Sequence, residues 1–524
     1  MKLTDIRSEK DLPSDPATLQ ALLWSLLQDY RTMSERLTLF QKELYGRKSE
    51  KVAEQHAEQM ALDTLLAQAQ TIENAEAVEA LVVVKPHRRR KKHPGRNAIP
   101  GDITRNRIVY DIPEAEKTCD CCGRPKVVIG ESVRQEVERN PATYVVNEHV
   151  RPKYACAHCK DGVSVAEPPV TPIPRGLAGL QLLIFVILSK YQYHLPLYRI
   201  QRQIFHESRI WFTRSTMVGW IQGLCVLLER VHTAMADEVK TGQYIHADES
   251  LLTLVGGELK SKTTYQWVYR GLRTVVFDYR NTRGSDGPIK FLGGVKPGTF
   301  LMVDGYSGYN AAIDKYDLLM MICMTHLRRQ FIEAAEVGSQ KNFAVLIIRL
   351  IGQLYRIERY ATAKKLDAAG RLALRQKLCP VIMAKIKAAL INPPFVKLPQ
   401  SRIGKAVNYA LHRWDEAQRY LQAGDLPIDN NPAEQVIRDL AIGRNNWMFI
   451  ASEAGGKCMA TLYSIIATCK VNNIDLNEYL ADVLMRLPIR TSSQSVADLT
   501  PVEWLKAKNG GNLPTATPLY PSLG

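Results

Sequence analysis

Apolar residues recur in heptads near the start of the chain, with Leu19, Leu26, Met33 and Phe40 at one seam position and Leu23, Tyr30, Leu37 and Leu44 at the other. A repeat held over more than three heptads predicts a coiled-coil helix and self-association. The same spacing also suits an amphipathic helix packed on its own protein, so both readings stand. Gly46 ends the seam, and a second polar helical stretch leads to "KPHRRRKKHPGR", which has no acid. Beyond it, "SVRQEVE" and "TYVVNEHVRPKYA" alternate as strands do. After the joint "EPPVTPIPRG" the period becomes helical: Leu180 to Tyr191, then "LPLYRIQRQIFHE", a turn at "SRIWFT", and "RSTMVGWIQGLCVLLERV". From Gln243 the period changes again. "QYIHADES", "TTYQWVYR" and "TVVFDYR" predict three strands, "SDGPIKFLGG" a short helix, and "TFLMVDGYSGY" and "LLMMICM" two more strands. Patterns after Cys323 are mostly helical.

These patterns divide a multidomain α+β chain as follows. Residues 1–84 form a helical oligomerisation region, 85–112 a basic linker, 113–168 a small zinc-binding β domain, and 169–242 a helical DNA-binding domain. Residues 243–452 form an α/β catalytic domain with a helical insertion at about 325–425, and 453–524 a helical C-terminal region and tail. Three strands, a helix, two strands and then helices is the element order of a ribonuclease-H-like fold.

Composition narrows the partners. The 524 residues, 46% hydrophobic and 23% charged, can bury several cores. Lys and Arg number 69 against 53 Asp and Glu, a formal charge of +16, which favours a polyanion, and nucleic acid first. The start "MKLTDIRSEKDLPSDP" is polar, and the most apolar run, Leu177 to Leu188, is too short to span a bilayer, so a cytoplasmic location is expected. Five scattered cysteines, Cys225, Cys323, Cys379, Cys458 and Cys469, are then expected to be reduced core thiols.

The remaining cysteines carry chemistry. Cys119-x-x-Cys122 and Cys156-x-x-Cys159 are two chelating knuckles separated by 33 residues, an arrangement that suits one tetrahedral structural Zn²⁺. Cys121 and His158 lie inside the knuckles as alternative ligands. Four protein ligands leave no open position, which argues against catalytic zinc.

DNA contacts have two candidate sources. Arg88, Arg89, Arg90, Lys91 and Lys92 form the dense part of the basic linker, suited to phosphates. A helix, a short turn and a helix opening with Arg214, Ser215 and Thr216 match a helix-turn-helix, although a plain helical hairpin fits the same pattern.

The chemical centre is expected from three acids. Asp248 is read as ending the first strand of the α/β domain and Asp304 the fourth, while Glu434 follows "IDNNPA" at the start of a helix. In a ribonuclease-H-like fold these are the positions of three metal-binding carboxylates. Phosphodiester cleavage with two Mg²⁺ (or Mn²⁺) ions needs hard oxygen ligands around ions about 4 Å apart. Glu249 points to the other strand face and is the poorer ligand. Glu434 also has a purely structural reading: with Asn431 as N-cap and Pro432 as the first helical residue, it is the third residue of a capping box.

The block "DNNPAEQVIRDLAIGRNNWMF" resembles the signature of the insertion sequence 66 family of bacterial DDE transposases. "GRKSEK", "CDCCG", "HVRPKYACAHC", "SKYQYHLPLYR", "RSTMVGW", "HADES", "VDGYSGYN", "THLRRQF" and "LYSIIATCKVNNIDLNEYLADVL" extend the similarity over nearly the whole chain. The resemblance implies that Asp248, Asp304 and Glu434 are the metal-binding DDE residues, that the cysteines build the family's zinc domain, and that Gly443, Arg444, Asn446 and Trp447 belong to its C-terminal motif. Gln435 and Asn445 depart from the family, which commonly has Arg and Lys there. "CMTHLRR" also matches; with no second pair in the sequence to complete a metal site, Cys323 is expected to be structural and His326, Arg328 and Arg329 to contact DNA phosphates, as does Arg444.

The expected activity is metal-dependent strand cleavage at the inverted repeats of an element, followed by transfer of the freed 3′ hydroxyl into target DNA. A homo-oligomer, at least a dimer, would hold both ends, with companion proteins of the element as further partners. A nuclease of the same fold without strand transfer, and a non-catalytic DNA-binding regulator, are the rival readings.

Overall fold

The computed structural model describes residues 15–45, 144–147, 149, 153–155, 163–165, 169–174, 176–256, 261–337, 340–395 and 398–513. The chain divides into two compact units, Met1–Leu66 with Val146–Gly524, and Ala67–Val145. Everything below concerns the first. Cys119, Cys122, Cys156, Cys159 and the basic run Arg88 to Lys92 lie outside the described residues.

Helix α1 spans Pro16–Tyr45, as the heptads predict, and Leu19, Leu23, Leu26, Tyr30, Met33 and Leu37 of its seam are exposed. A two-stranded hairpin follows, β1 (Lys153–Ala155) antiparallel to β2 (Val163–Val165), with Ala155 opposite Val163. The longer strand expected over "TYVVNEHVRPKYA" is therefore short: Tyr144 to Asn147 join no strand.

Helices α2 (Leu180–Ile187), α3 (Leu197–Ser208) and α4 (Arg214–Lys240) come next. Arg209 turns the chain after α3 with a left-handed φ of 61°, and Thr213 caps α4 by accepting from the Thr216 amide at 3.1 Å. Five strands then form one sheet: β3 (Tyr244–Val255), β4 (Ser261–Arg270), β5 (Val275–Arg280), β6 (Phe300–Val303) and β7 (Leu319–Ile322), in the order β5-β4-β3-β6-β7. β3, β4 and β5 are antiparallel neighbours, whereas β6 lies parallel to β3 and β7 parallel to β6. Asp286–Phe291 is the expected short helix between β5 and β6. The order of the five strands and this helix agrees with the sequence pattern, but the strand expected over "TFLMVDGYSGY" ends at Val303, and a further helix, Asn310–Tyr316, precedes β7.

The helical excursion after β7 contains α5 (Met324–Val337), α6 (Lys341–Ala363), α7 (Ala368–Ile391) and α8 (Arg402–His412). A buried ion network ties it together. Glu358 on α6 accepts from Arg375 on α7 at 2.7 and 2.9 Å and from Arg371 at 2.8 Å, and Arg375 also donates to the carbonyls of Tyr420, Ala423 and Leu426. The fork of Arg375 is thus satisfied despite complete burial, the condition under which a buried pair is tolerated.

The chain returns to the sheet with α9 (Asn431–Trp447) and α10 (Glu453–Val471), followed by α11 (Leu476–Arg486) and α12 (Pro501–Lys508). α10 is buried along nearly its whole length, since it sits between α4 and β5. Its hydroxyls take over the open edge of β5: Phe277 N donates to Ser464 Oγ at 2.8 Å and Val275 N to Thr468 Oγ1 at 2.9 Å. An unpaired strand edge is a template for pairing with other chains, and this helix removes it. Cys225 on α4 and Cys458 on α10 are joined by a disulfide, with Cα atoms 5.4 Å apart. The expectation of reduced thiols is corrected for these two, because the packing of α4 on α10 brings them face to face. Cys323, Cys379 and Cys469 are free and buried, as expected. Among the described residues, no helix is long and apolar enough to cross a membrane.

Candidate active site

Strand β3 does not end at Asp248. Its pairing with β4 continues from Asp248 opposite Val268 to Val255 opposite Ser261, with Leu252 buried on the way. On its other side, pairing with β6 stops at His246 opposite Met302. Asp248 therefore lies where β3 outruns its parallel neighbour. Two residues on from the last parallel pair, Asp248 and Asp304 occupy matching positions on adjacent chains, on the face shared by His246 and Met302.

Local chemistry fixes both carboxylates. Asp248 Oδ1 accepts from the Glu249 amide at 2.8 Å, and Asp304 Oδ1 from the Tyr306 amide at 2.8 Å. The turn after Asp304 depends on Gly305, whose φ of 96° disfavours a side chain and whose Cβ would lie 3.0 Å from Ile322 Cδ1 and 3.1 Å from Tyr409 Oη. Tyr409 donates to the Asp304 carbonyl at 3.0 Å. Glu249, on the opposite face as expected, is held by the Arg283 guanidinium at 2.8 Å and by Tyr309 Oη at 2.9 Å.

Glu434 is positioned by Asp429 to Pro432, which lead into and open its helix, and this is not foreseen from the sequence. Asn430 is fully buried; its Nδ2 donates to Ala247 O at 3.0 Å, its Oδ1 lies 3.0 Å from His246 Nδ1, and its amide donates to Cys323 Sγ at 3.1 Å. With the Asn430 amide nitrogen engaged by Ala247, its oxygen accepts, so His246 carries its proton on Nδ1. Burial holds the His246 imidazole neutral, its pKa pushed down to about 3. Asp429 accepts from Tyr355 Oη at 2.9 Å and from Asn431 Nδ2 at 3.0 Å. Arg270 Nη1 donates to Pro432 O at 2.6 Å. At the far end of α9, Arg444 Nη1 donates to Leu251 O at 2.6 Å, and the chain beyond pairs with β3 through Ile450 N to Thr253 O at 2.9 Å. The signal was present as the run "IDNN", but its partners are remote in sequence.

The capping box does not form. Asn431 turns its amide to Asp429 instead of capping, Asn430 occupies the N-cap without a side-chain bond, and Glu434 Oε1 is a buried atom with no hydrogen-bond partner. Glu434 points instead toward His326, whose Nδ1 stands 3.6 Å from Oε1. Among the described residues one group of three has ligand atoms within 4.8 Å of one another: Cys323, His326 and Glu434. The third partner that the sequence did not supply for Cys323 and His326 is thus the acid of α9.

Electrostatics links the three acids. Burial, and then the negative charges of Glu249, Asp304 and Glu434, push the Asp248 carboxyl up to about 8, against the opposing Glu249 amide. Glu249 is paired with Arg283, and the charges of Asp304 and Glu434 favour a cation. Arg328 and Arg329 follow His326 on α5 and are half-buried, whereas Arg214, Ser215 and Thr216 are exposed in the first turn of α4. Gly443 lets α9 press on α10, since a Cβ there would meet Tyr463 Oη at 2.5 Å.

Comparison with known proteins adds four matches. The model of the transposase IS66 family covers residues 175–458, more than half of the chain. The zinc-finger binding domain of transposase IS66 matches 116–160, a span containing all four knuckle cysteines. The model described as transposase C of IS166 homeodomain matches 33–108, across the second half of the heptads and the basic run, and the IS66 C-terminal element matches 464–502. Two similar relatives are the uncharacterized proteins y4hP and y4qI of Sinorhizobium fredii. The first is 28% identical over 90% of this chain and 88% of its own length, the second 32% identical over 75% of each. Family matches from residue 33 to residue 502 leave one conclusion: the chain belongs to the IS66 family of transposases.

Proposed function

We propose that this chain is a DDE transposase that cleaves DNA strands at the ends of its element and transfers them into target DNA on a ribonuclease-H-like core. The observation that carries the reading is the placement of Asp248 on β3 and of Asp304 directly after its parallel neighbour β6, with the Glu434 helix tied to β3 through Asn430 and Ala247. The sheet order β5-β4-β3-β6-β7, antiparallel then parallel, supports the fold.

The residues suit divalent metal ions. Asp248 is a half-buried carboxyl among three other acids, and Glu434 Oε1 is buried without a hydrogen-bond partner. Hard oxygen donors of this kind are what Mg²⁺ or Mn²⁺ takes. When bound, two such ions supply activation of the attacking oxygen and stabilisation of the leaving oxygen. Asp248, Asp304 and Glu434 would hold them. Asp248 gives up its proton on loading, and the amides of Glu249 and Tyr306 keep the two aspartates aimed. No side chain acts as nucleophile, because phosphoryl transfer depends on positioning and charge neutralisation.

DNA is the partner. Contacts are assigned to Arg88, Arg89, Arg90, Lys91 and Lys92, to the exposed Arg214, Ser215 and Thr216, and to His326, Arg328, Arg329 and Arg444 at the phosphates. Cys119, Cys122, Cys156 and Cys159 would hold one structural Zn²⁺. The exposed apolar seam of α1 supports pairing of protomers, as two element ends must be held together.

The test uses the full chain with labelled element-end duplex, target plasmid and Mg²⁺ or Mn²⁺. Cleavage followed by joining is expected from the parent. Asp248→Asn, Asp304→Asn and Glu434→Gln should bind DNA but neither cut nor join. Cutting without joining would make the protein a nuclease, and binding alone a regulator; Glu434→Gln cutting at the parent rate would remove Glu434 from the metal site.

A further inference from the structure

The contact between His326 and Glu434 is neither a hydrogen bond nor an accident of surface charge. Nδ1 and Oε1 are 3.6 Å apart, too far to share a proton well, yet both atoms are buried and neither has another partner. Two polar atoms in that condition are unfavourable unless something lies between them. An ion with ligand bonds of about 2.1 Å holds neighbouring ligand atoms about 3.0 Å apart in an octahedron and about 3.4 Å apart in a tetrahedron, a few tenths of an ångström inside this spacing. Cys323 Sγ completes the group within 4.8 Å, but it is fully buried and already accepts from the Asn430 amide at 3.1 Å. Its part is to hold Asn430, and through it the turn into α9. The two atoms free to bind are the imidazole nitrogen and the carboxylate oxygen.

We propose that His326 is a ligand of the divalent ion held by Glu434, so that this position selects a first-row transition-metal dication over Mg²⁺. The inference rests on the carboxylate metal site described above and adds a nitrogen donor to it. Mg²⁺ takes oxygen ligands and keeps much of its water, whereas imidazole suits transition metals. His326 is well placed for the role. It sits in the first turn of α5, whose start is fixed by Met324 N donating to Ile428 O at 3.1 Å, so the imidazole and the Glu434 helix approach from one anchored point.

Mn²⁺ is the probe, because the soft thiolate cluster of the zinc domain disfavours it. Full-length protein is loaded with Mn²⁺ and read by pulsed electron paramagnetic resonance for coupling to a directly bound ¹⁴N nucleus, with Mn²⁺ and Mg²⁺ affinities measured by calorimetry. The expected result is a nitrogen signature in the parent that disappears in His326→Ala and His326→Gln. Mn²⁺ affinity should fall about tenfold or more in both variants while Mg²⁺ affinity stays within about twofold, since a ligand lost to one ion but not to the other is a selectivity effect. Circular dichroism of the variants checks the fold, and His326→Gln keeps the side-chain bulk. A parent without nitrogen coupling, or equal Mn²⁺ affinity in His326→Ala, overturns the proposal. Asp248→Asn separates it from the reading on which it rests: nitrogen coupling at full Mn²⁺ affinity in that variant would leave His326 a ligand and remove Asp248 from the site.

Discussion

Asn430 donates its side-chain amide to the carbonyl of Ala247 at 3.0 Å, one residue before Asp248. Through this bond the helix that carries Glu434 is registered against the strand that carries Asp248. Asn430→Ala should leave the Ala247 carbonyl and His246 Nδ1 buried and unpaired, at a cost of about 1–3 kcal/mol for such a group. Denaturant melts should detect that loss, and strand cleavage should fall further than stability does, because the register of two acids is disturbed. A variant that cuts like the parent would show that the bond is dispensable for geometry.

The raised pKa of Asp248 makes the metal-free protein sensitive to pH. Folded, this carboxyl keeps its proton up to about 8; unfolded, it returns to its ordinary value of 3.8. Between those values the folded chain holds the extra proton, so this group makes stability fall as pH rises from about 4 to about 8, and its effect levels off above. The limiting slope for one proton is about 1.4 kcal/mol per pH unit. Urea melts of metal-free parent and Asp248→Asn should diverge over that window. For the same reason, divalent-metal affinity should rise with pH until about 8.

Zinc should be present at about one ion per chain if the four knuckle cysteines share it. Cys156→Ser should remove it and unfold the stretch between about residues 115 and 165 locally. Metal analysis of freshly purified, reduced protein gives the count, and limited proteolysis reports the loosened segment.

Glu358 is the buried centre of the helical excursion. Glu358→Ala leaves Arg375 charged and buried, a change that typically costs about 3–5 kcal/mol. Melting of α6 and α7 should shift accordingly, while Glu358→Gln, which keeps acceptor geometry for part of the fork, should lose less.

Much of the α/β region was legible because short apolar runs bounded by turn residues mark buried strands: all five strands and the short helix between β5 and β6 occur in the expected order from Gln243 to Cys323. The reading failed where local chemistry competes with tertiary partners. "NNPAE" has the letters of a capping box, yet Asn431 serves Asp429 and Glu434 faces His326, a residue 108 positions earlier. Asp248 reads as the end of its strand, but β4 pairs with all of "ESLLTLV" and carries the strand on. The disulfide between Cys225 and Cys458 spans 233 residues, a proximity that single-sequence spacing does not encode.

The helical excursion leaves and rejoins the core at nearly one point. Met324 N meets Ile428 O at 3.1 Å, and Cys323 Sγ meets the Asn430 amide at 3.1 Å. From this closed neck the helices reach back to the acids, through His326 on α5, Tyr355 on α6 and Tyr409 on α8. The distance between Asp304 and Glu434 is therefore set by the neck and is independent of the length of chain between them. Loop-closure entropy grows only slowly with length, so the segments that join these helices can lengthen or shorten at little thermodynamic cost while the neck and these contacts hold. A closure of this kind lets the outer surface of the helical excursion vary without moving Asp304 or Glu434.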